Sequence, residues 1–485
     1  MVYCGRPSKA CLRCRGRKLK CDLKAPSCGQ CFRAGVTCTG YRDPHQLRIQ
    51  NESESTRKKA LSKKPSPTHK PQPLPLSLDS QARDVFFAYH VTGTSKTWDF
   101  LQPFYHPADS PEHLTLAIDA VSLAYLSQKV FSDAALFSAR QRYIAALRMT
   151  NKALQCPDVA AKNTTLLATL LLDLFEKITN NESRVIESWA GHMKGALALV
   201  ELRGLDTFQD HASVRVLVRL STNVLISCVA TSSSVPKDLK ELRVYIAKLV
   251  DTNNPKWRLM DLMEEYIDLQ ADTSRALLPS SIALQKLLEL DGKYAALACD
   301  VPPGWRPKTT IIEHESDRIY EKHYNTYGDR HITQPLNVLR LIRILVNEFI
   351  LDHCATADEY ILLAETARQN IEQMGKEVCA SVPQYVDCFG AARSRLPTTS
   401  IEHYHTHTPN QSLDCYTLIY SLYVVARSQY CPYDMKIWVI KQLHYIGSHF
   451  SIRNAELVAR ILEEGTECEN PWDVYAMLGG YAYAA

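Results

Sequence analysis

The chain has 485 residues, 46% hydrophobic and 22% charged, with a net charge of +4. That length predicts about two to four domains, and 18 Gly with 24 Pro exclude a fibrous or wholly disordered chain. No apolar run approaches the roughly 18 residues that cross a bilayer, and the chain before Cys31 holds no apolar signal-peptide core, so secreted and membrane-embedded classes are not expected. Charge is unevenly placed. Residues 1–80 hold 17 Lys and Arg against 5 Asp and Glu, a balance of +12, and the rest of the chain carries −8. A basic head on an acidic body draws a polyanion to one end.

Seven of the 16 cysteines lie at or before Cys38. Cys4 reads as a spare thiol. Cys11, Cys14, Cys21, Cys28, Cys31 and Cys38 follow C-x2-C-x6-C-x6-C-x2-C-x6-C, one unit begun at Cys11 and begun again at Cys28. A repeated CxxC pair in a chain without a secretory signal points to metal rather than disulfides. Thiolates suit zinc, which takes four ligands in structural sites. Six cysteines overfill one tetrahedron, and two separate tetrahedra need eight ligands. Two bridging thiolates would complete both ions, one from each half of the repeat. Symmetry alone does not say which cysteine of each half bridges. Neither usual iron–sulfur spacing is present. Every position being filled by sulfur, the site is expected to be structural rather than catalytic. The nine later cysteines (Cys156, Cys228, Cys299, Cys354, Cys379, Cys388, Cys415, Cys431 and Cys468) are scattered and read as buried free thiols in a reducing compartment.

The run Ala10-Cys11-Leu12-Arg13-Cys14-Arg15-Gly16-Arg17-Lys18-Leu19-Lys20-Cys21-Asp22, with Lys24, Pro26, Cys28 and Cys31 behind it, resembles the fungal binuclear zinc cluster (Zn2Cys6) transcription factors. The resemblance implies a small cluster with two short pseudo-symmetric helices and two structural Zn2+ ions. It implies Cys11 and Cys28 as bridges, with Cys14 and Cys21 on one ion and Cys31 and Cys38 on the other. It also implies base contacts from Lys18, at the end of the first helix, to a CGG-type triplet. Pro26 stiffens the loop between the halves, where the family often carries a proline that is sometimes cis.

The two halves differ in charge. Arg13, Arg15, Arg17, Lys18 and Lys20 lie between Cys11 and Cys21, against Arg33 alone between Cys28 and Cys38. With two Zn2+ and six thiolates, residues 11–38 would still carry about +4. The first half is therefore the expected face for double-stranded DNA. Lys18 would donate to guanine, and Arg13, Arg15, Arg17 and Lys20 would contact phosphates. Backbone N–H groups at helix starts placed just after Cys14 and Cys31 would add to phosphate binding.

Residues 43–80 lose the pattern. Five prolines lie from Pro65 to Pro75, so a flexible basic linker is expected between a head at 1–42 and a body at 81–485. Arg57-Lys58-Lys59 and Lys63-Lys64-Pro65 look like a nuclear-import address, or a loose basic tail drawn to DNA. Leu47, Ile49 and Leu61 make no sustained heptad, so a homodimer through a coiled coil after the cluster is not expected. A monomer, or a dimer held by the body, stays open.

From residue 81 apolar residues recur at three and four. Helices are expected over Leu114–Gln128, Ala134–Leu154, Thr164–Ile178, Arg184–Leu202, Ser213–Cys228, Ser281–Leu290, Leu336–Leu351, Tyr360–Met374, Asp414–Ala426 and Met435–Ile446. They predict a large all-α bundle or stacked array. Trp189, Met193, Leu197 and Val200 make one stripe, and Gly204 reads as a helix stop. The segment Trp189-Ala190-Gly191-His192-Met193-Lys194-Gly195-Ala196 with Arg203-Gly204 resembles the fungal-specific regulatory domain that often follows such clusters. Trp189 beside His192 reads as packing. His403, His405 and His407 alternate as a metal site could, though Thr and Pro around them read as a loop. The acidic stretch Glu463–Asp473, near Trp472, could recruit transcription machinery or end a solvated helix. No phosphate-binding glycine loop, nucleophile elbow or HExxH occurs.

The sequence thus reads as a nuclear, DNA-binding transcription regulator of RNA polymerase II type, not an enzyme and with no membrane partner. Its rivals are a helical ligand-binding or enzymatic protein with an incidental zinc head, and a transport or assembly factor using the cluster for protein contact.

Overall fold

The computed structural model describes residues 8–41, 76–93, 97–179, 185–354, 360–386, 409–465 and 470–479. His403, His405, His407, Cys4, Cys388, Cys468 and the basic linker motifs lie outside them. The chain divides into two compact units, Met1–Pro75 and Leu76–Ala485.

The first unit is two short helices, α1 (Leu12–Gly16) and α2 (Gly29–Arg33), each preceded by an extended cysteine, Cys11 or Cys28. The expected starts after Cys14 and Cys31 lie one turn too late. Cysteine takes the N-cap place here, the Cys28 thiol accepting from Cys31 N at 3.4 Å. The loop between the halves contains a cis Ala25–Pro26 peptide.

The second unit is predominantly helical, as expected. It opens with α3 (Leu78–Phe86), capped by Ser77. The first layer continues with α4 (Glu112–Val130), α5 (Asp133–Leu154), α6 (Pro157–Ala160), α7 (Asn163–Thr179), α8 (Val185–Arg203) and α9 (His211–Ala230). Then follow α10 (Lys237–Ile246), α11 (Pro255–Ser274), α12 (Ser280–Cys299), α13 (Arg330–Cys354), α14 (Ile361–Ser381), α15 (Pro383–Val386), α16 (Pro409–Tyr416), α17 (Ile419–Arg427), α18 (Tyr433–His449), α19 (Arg453–Glu464) and α20 (Pro471–Met477). Sequential helices pack as neighbours, with α4 and α7 at the centre: Leu114, Ile118, Val121, Leu167 and Leu171 are sealed from solvent. Met193, Leu197 and Val200 form the buried stripe of α8, and Gly204 stops that helix at φ +83°.

Helix α9 is long and apolar enough to span a bilayer by composition, yet 72% of that window is buried inside the body. It holds Arg219 and Asn223 among its buried residues, which suits a core helix.

Several features depart from the expectations. Asp414–Ala426 is two helices, α16 and α17, with Thr417 and Leu418 between them, and the Thr417 hydroxyl donates to Asp414 O at 2.7 Å. A two-stranded antiparallel hairpin, β1 (Lys308–Ile311) and β2 (His323–Thr326), pairs Lys308 with Thr326 and Ile311 with His323. Cys156 and Cys299 are exposed rather than buried, one before α6 and one ending α12, where helices meet solvent. Trp472 is buried against Tyr420 and Tyr475, and Glu463 meets His444 Nε2 at 2.9 Å, so neither side chain is loose in an acidic tail.

The body also buries charge. Asp291 on α12 accepts from Arg343 Nε at 2.8 Å and Nη2 at 3.0 Å, and from Asn347 at 2.8 Å. Removing one member of such a buried network leaves the other uncompensated, whereas an exposed pair contributes little. Asp291→Ala is expected to lose about 3 kcal/mol or more. Glu241→Ala, which breaks the exposed Lys237–Glu241 pair, should lose about 1 kcal/mol at most. Urea titrations followed by far-ultraviolet circular dichroism compare the two. Equal midpoints would refute the role given to Asp291.

Candidate metal centre and nucleic-acid interface

The six cysteines of the head meet in one cluster, although Cys11 and Cys38 stand at opposite ends of the motif. The sulfurs of Cys11, Cys14, Cys21 and Cys28 lie within 4.8 Å of one another, and so do those of Cys11, Cys28, Cys31 and Cys38. The two groups share Cys11 and Cys28. Cys11 and Cys28 Sγ are 3.8 Å apart, Cys11 and Cys31 3.7 Å, and Cys14 and Cys28 3.7 Å. A zinc tetrahedron with Zn–S bonds of about 2.3 Å has edges of about 3.8 Å. Disulfide sulfurs would sit at about 2.05 Å. The donor set and its spacing therefore fit tetrahedral thiolate coordination.

Among the described residues of this unit only Cys11, Cys14, Cys28 and Cys31 are buried. The interior is sulfur. Burial and the neighbouring thiols push Cys14 well up from the ordinary thiol value, and push Cys31 up to about 12. Backbone hydrogen bonds at Cys28 and Gly40 hold Cys38 down to about 7. Crowded sulfurs resist sharing negative charge, so a cation must stabilise the thiolates together.

Two contacts brace the halves that the cysteine spacing did not reveal. The Asp22 carboxylate accepts from Gly29 N at 2.9 and 3.1 Å at the start of α2, which lowers its pKa. A Cβ at Gly29 would lie 2.7 Å from that carboxylate, so glycine admits the contact. Tyr41 donates its hydroxyl to Lys24 O and closes the loop. The acidic residue after Cys21 was the available signal, but nothing in the sequence paired it with Gly29.

The basic residues separate by surroundings. Arg17, Lys18 and Lys20 are exposed, and Arg15 is half-buried with no partner for Nε among the described residues. Arg13 is half-buried and donates to Gln30 O at 3.3 Å, so it also ties the first half to the second.

Lys18 sits in a telling position. Both helices end in the same double hydrogen bond. Lys18 N donates to Arg15 O and Leu19 N to Cys14 O, as Gly35 N does to Phe32 O and Val36 N to Cys31 O. The residue at the turn must be left-handed: Lys18 has φ +56° and Gly35 has φ +61°. Glycine takes this conformation freely, while another residue is strained by about 1 kcal/mol. The first half thus carries lysine where its own repeat carries glycine. Lys18→Gly should tighten the metallated head and Gly35→Ala loosen it, each by about 1 kcal/mol, or about fivefold in zinc retention. Competition with a fluorescent chelator measures this. Looser retention in Lys18→Gly would contradict the strain assigned to that turn.

Comparison with known proteins adds to this geometry. A family model described as the fungal Zn(2)-Cys(6) binuclear cluster domain matches residues 9–48. Another, the fungal specific transcription factor domain, matches residues 87–341. The tropolone cluster transcription factor tropK of Talaromyces stipitatus is 56% identical over 32 residues, 7% of this chain and 6% of that protein. The oleate activated transcription factor 3 of Kluyveromyces lactis is 50% identical over 38 residues, 8% of this chain and 6% of that protein. No solved structure matches the chain.

Proposed function

This chain belongs to the fungal specific transcription factor family, whose domain covers more than half of it behind a zinc-binding cluster domain, and on that premise we propose how this transcription regulator reads DNA. The head holds two Zn2+ ions. Cys11 and Cys28 bridge them, Cys14 and Cys21 complete one ion, and Cys31 and Cys38 complete the other. The observation that carries this reading is the pair of sulfur groups sharing two members. Zinc supplies rigidity and the charge that keeps six sulfurs together. The protein supplies the cationic face.

Lys18 reads guanines of a CGG-type triplet in the major groove. Its support is the left-handed turn, which holds an exposed lysine at the end of α1 despite the strain. Arg15, Arg17 and Lys20 contact phosphates and set register. Arg13 combines phosphate contact with its bond to Gln30. The protein acts in the nucleus on genes transcribed by RNA polymerase II. The basic runs near Lys58 and Lys63 serve import, the segment 43–80 gives reach, and the body from 81 regulates and engages transcription machinery. Without a heptad after the cluster, binding is by a monomer on one triplet or by a dimer joined through the body.

The test is selection of bound sites from random duplexes with the full chain. Enrichment of a CGG-type triplet is expected, and enrichment of no motif would overturn the reading. Lys18→Gly, which leaves the turn relaxed, should lose about 1–3 kcal/mol on the selected site and relax its sequence preference. Arg17→Ala should weaken all duplexes alike and flatten the salt dependence by about one unit. Intact specificity in Lys18→Gly would reassign the readout. Stripping metal with EDTA should abolish DNA binding.

A further inference from the structure

Helices α18 (Tyr433–His449) and α19 (Arg453–Glu464) form a tight hairpin. Ser451 turns the corner in the left-handed region at φ +56°, and Ile452 N donates to Gly447 O. A Cβ at Gly447 would stand 3.0 Å from Glu456 Cβ, so glycine lets α19 lie close against α18. Yet the apolar face that α19 buries is thin: Ala455, Val458 and Ala459. Two alanines and a valine remove little surface from water, so polar contacts weigh heavily in docking this helix.

His444 on α18 supplies them. Its Nδ1 lies 2.9 Å from Glu456 Oε2, and its Nε2 lies 2.9 Å from Glu463 Oε1. Both glutamates stand on α19, two turns apart on one face. An ionised carboxylate only accepts hydrogen bonds. Both ring nitrogens must therefore donate, and only the imidazolium can do so. A neutral ring would turn a lone pair towards one of the two oxygens. Arg460 Nη2, 3.2 Å from Glu456 Oε1, helps to keep that carboxylate ionised.

Burial opposes the charge on His444, but the hydrogen bonds and charges of Glu456 and Glu463 outweigh it and raise the pKa above the ordinary 6.5. Glu456 is lowered in turn, first by its hydrogen bond to His444. The other charged groups on the elements around α18 are engaged elsewhere or face solvent. Asp434 accepts from Tyr320, Lys436 lies beside Cys431, and His449 stacks on Tyr445. Lys376 on α14 pairs with Glu321 and Glu372, Arg427 on α17 pairs with Glu348, and Arg318 lies over the Tyr445 ring. Lys441 on α18 and Arg453 and Glu464 on α19 are exposed.

We propose that His444 is a proton-operated clasp in the body: its imidazolium fastens α19 to α18, and loss of the proton as pH rises loosens α19. The contribution of the clasp is complete below the ordinary histidine value of 6.5 and is lost as pH rises through the raised one. The inference does not depend on the DNA reading.

Hydrogen–deuterium exchange of the full zinc-loaded chain, corrected for the intrinsic pH dependence of exchange, reads the opening of Arg453–Glu464. From about pH 6 to about pH 9 the protection of α19 relative to α4 should fall by about fivefold, as expected for two partly exposed pairs. His444→Gln should show the lower protection already at about pH 6 and no further fall. Flat protection in the parent chain, or an equal fall in His444→Gln, overturns the clasp. Where His444→Gln does not fold, Glu463→Gln serves. It removes one of the two partners, so the midpoint of the fall should move to lower pH, and an unmoved midpoint overturns the proposal as well.

Discussion

The head depends on sulfur held to sulfur. Its described interior contains four buried cysteines and no aliphatic core, so ordinary burial cannot order it. The apolar side chains that could have built one, Leu12, Leu19, Leu23 and Phe32, face solvent. Two helices of five residues each are far too short to persist alone. Metal coordination must therefore supply the folding free energy of this unit, as it does for small zinc domains generally. The body stands on different physics, a large hydrophobic interior built from helices.

That dependence lets one scaffold be used asymmetrically. The internal repeat superposes cysteine on cysteine and turn on turn, but the positions between them are free to differ. Arg15 corresponds to Phe32, and Lys18 to Gly35. Backbone geometry is shared, while positive charge is concentrated in one half. A symmetric metal core thus presents a polar, one-sided surface. Strain at Lys18 is tolerable because Cys14 and Cys21, both drawn into the sulfur cluster, hold the chain on either side of it.

Legibility followed the range of the interactions. The cysteine spacing is local, and coordination number converts it into geometry, so the head was readable before any coordinates. Long amphipathic helices were readable too: Asp133–Leu154 and Asn163–Thr179 lie within a residue of their expected bounds. Helices α10, α11 and α19 were passed over; on α19 the buried face is thin, only Ala455, Val458 and Ala459. Pro255 behind the Asn254 cap was a usable signal for α11. The hairpin at Lys308–Thr326 has no regular alternation of burial to announce it.

What could not be read was set by partners distant in sequence. Asp291 looks like any polar helix residue until Arg343 and Asn347 close around it from another helix. A glycine's meaning lies in what approaches it, and only the fold supplies that. At Gly375 Met435 presses in, its Sδ 2.7 Å from where a Cβ would stand, whereas Gly195 faces solvent, so the same residue type marks contact in one helix and open surface in another. Coordination chemistry is written along the chain, whereas close packing is defined only by the surfaces that meet. The metal centre therefore emerged from spacing, and the buried Asp291 network from three dimensions.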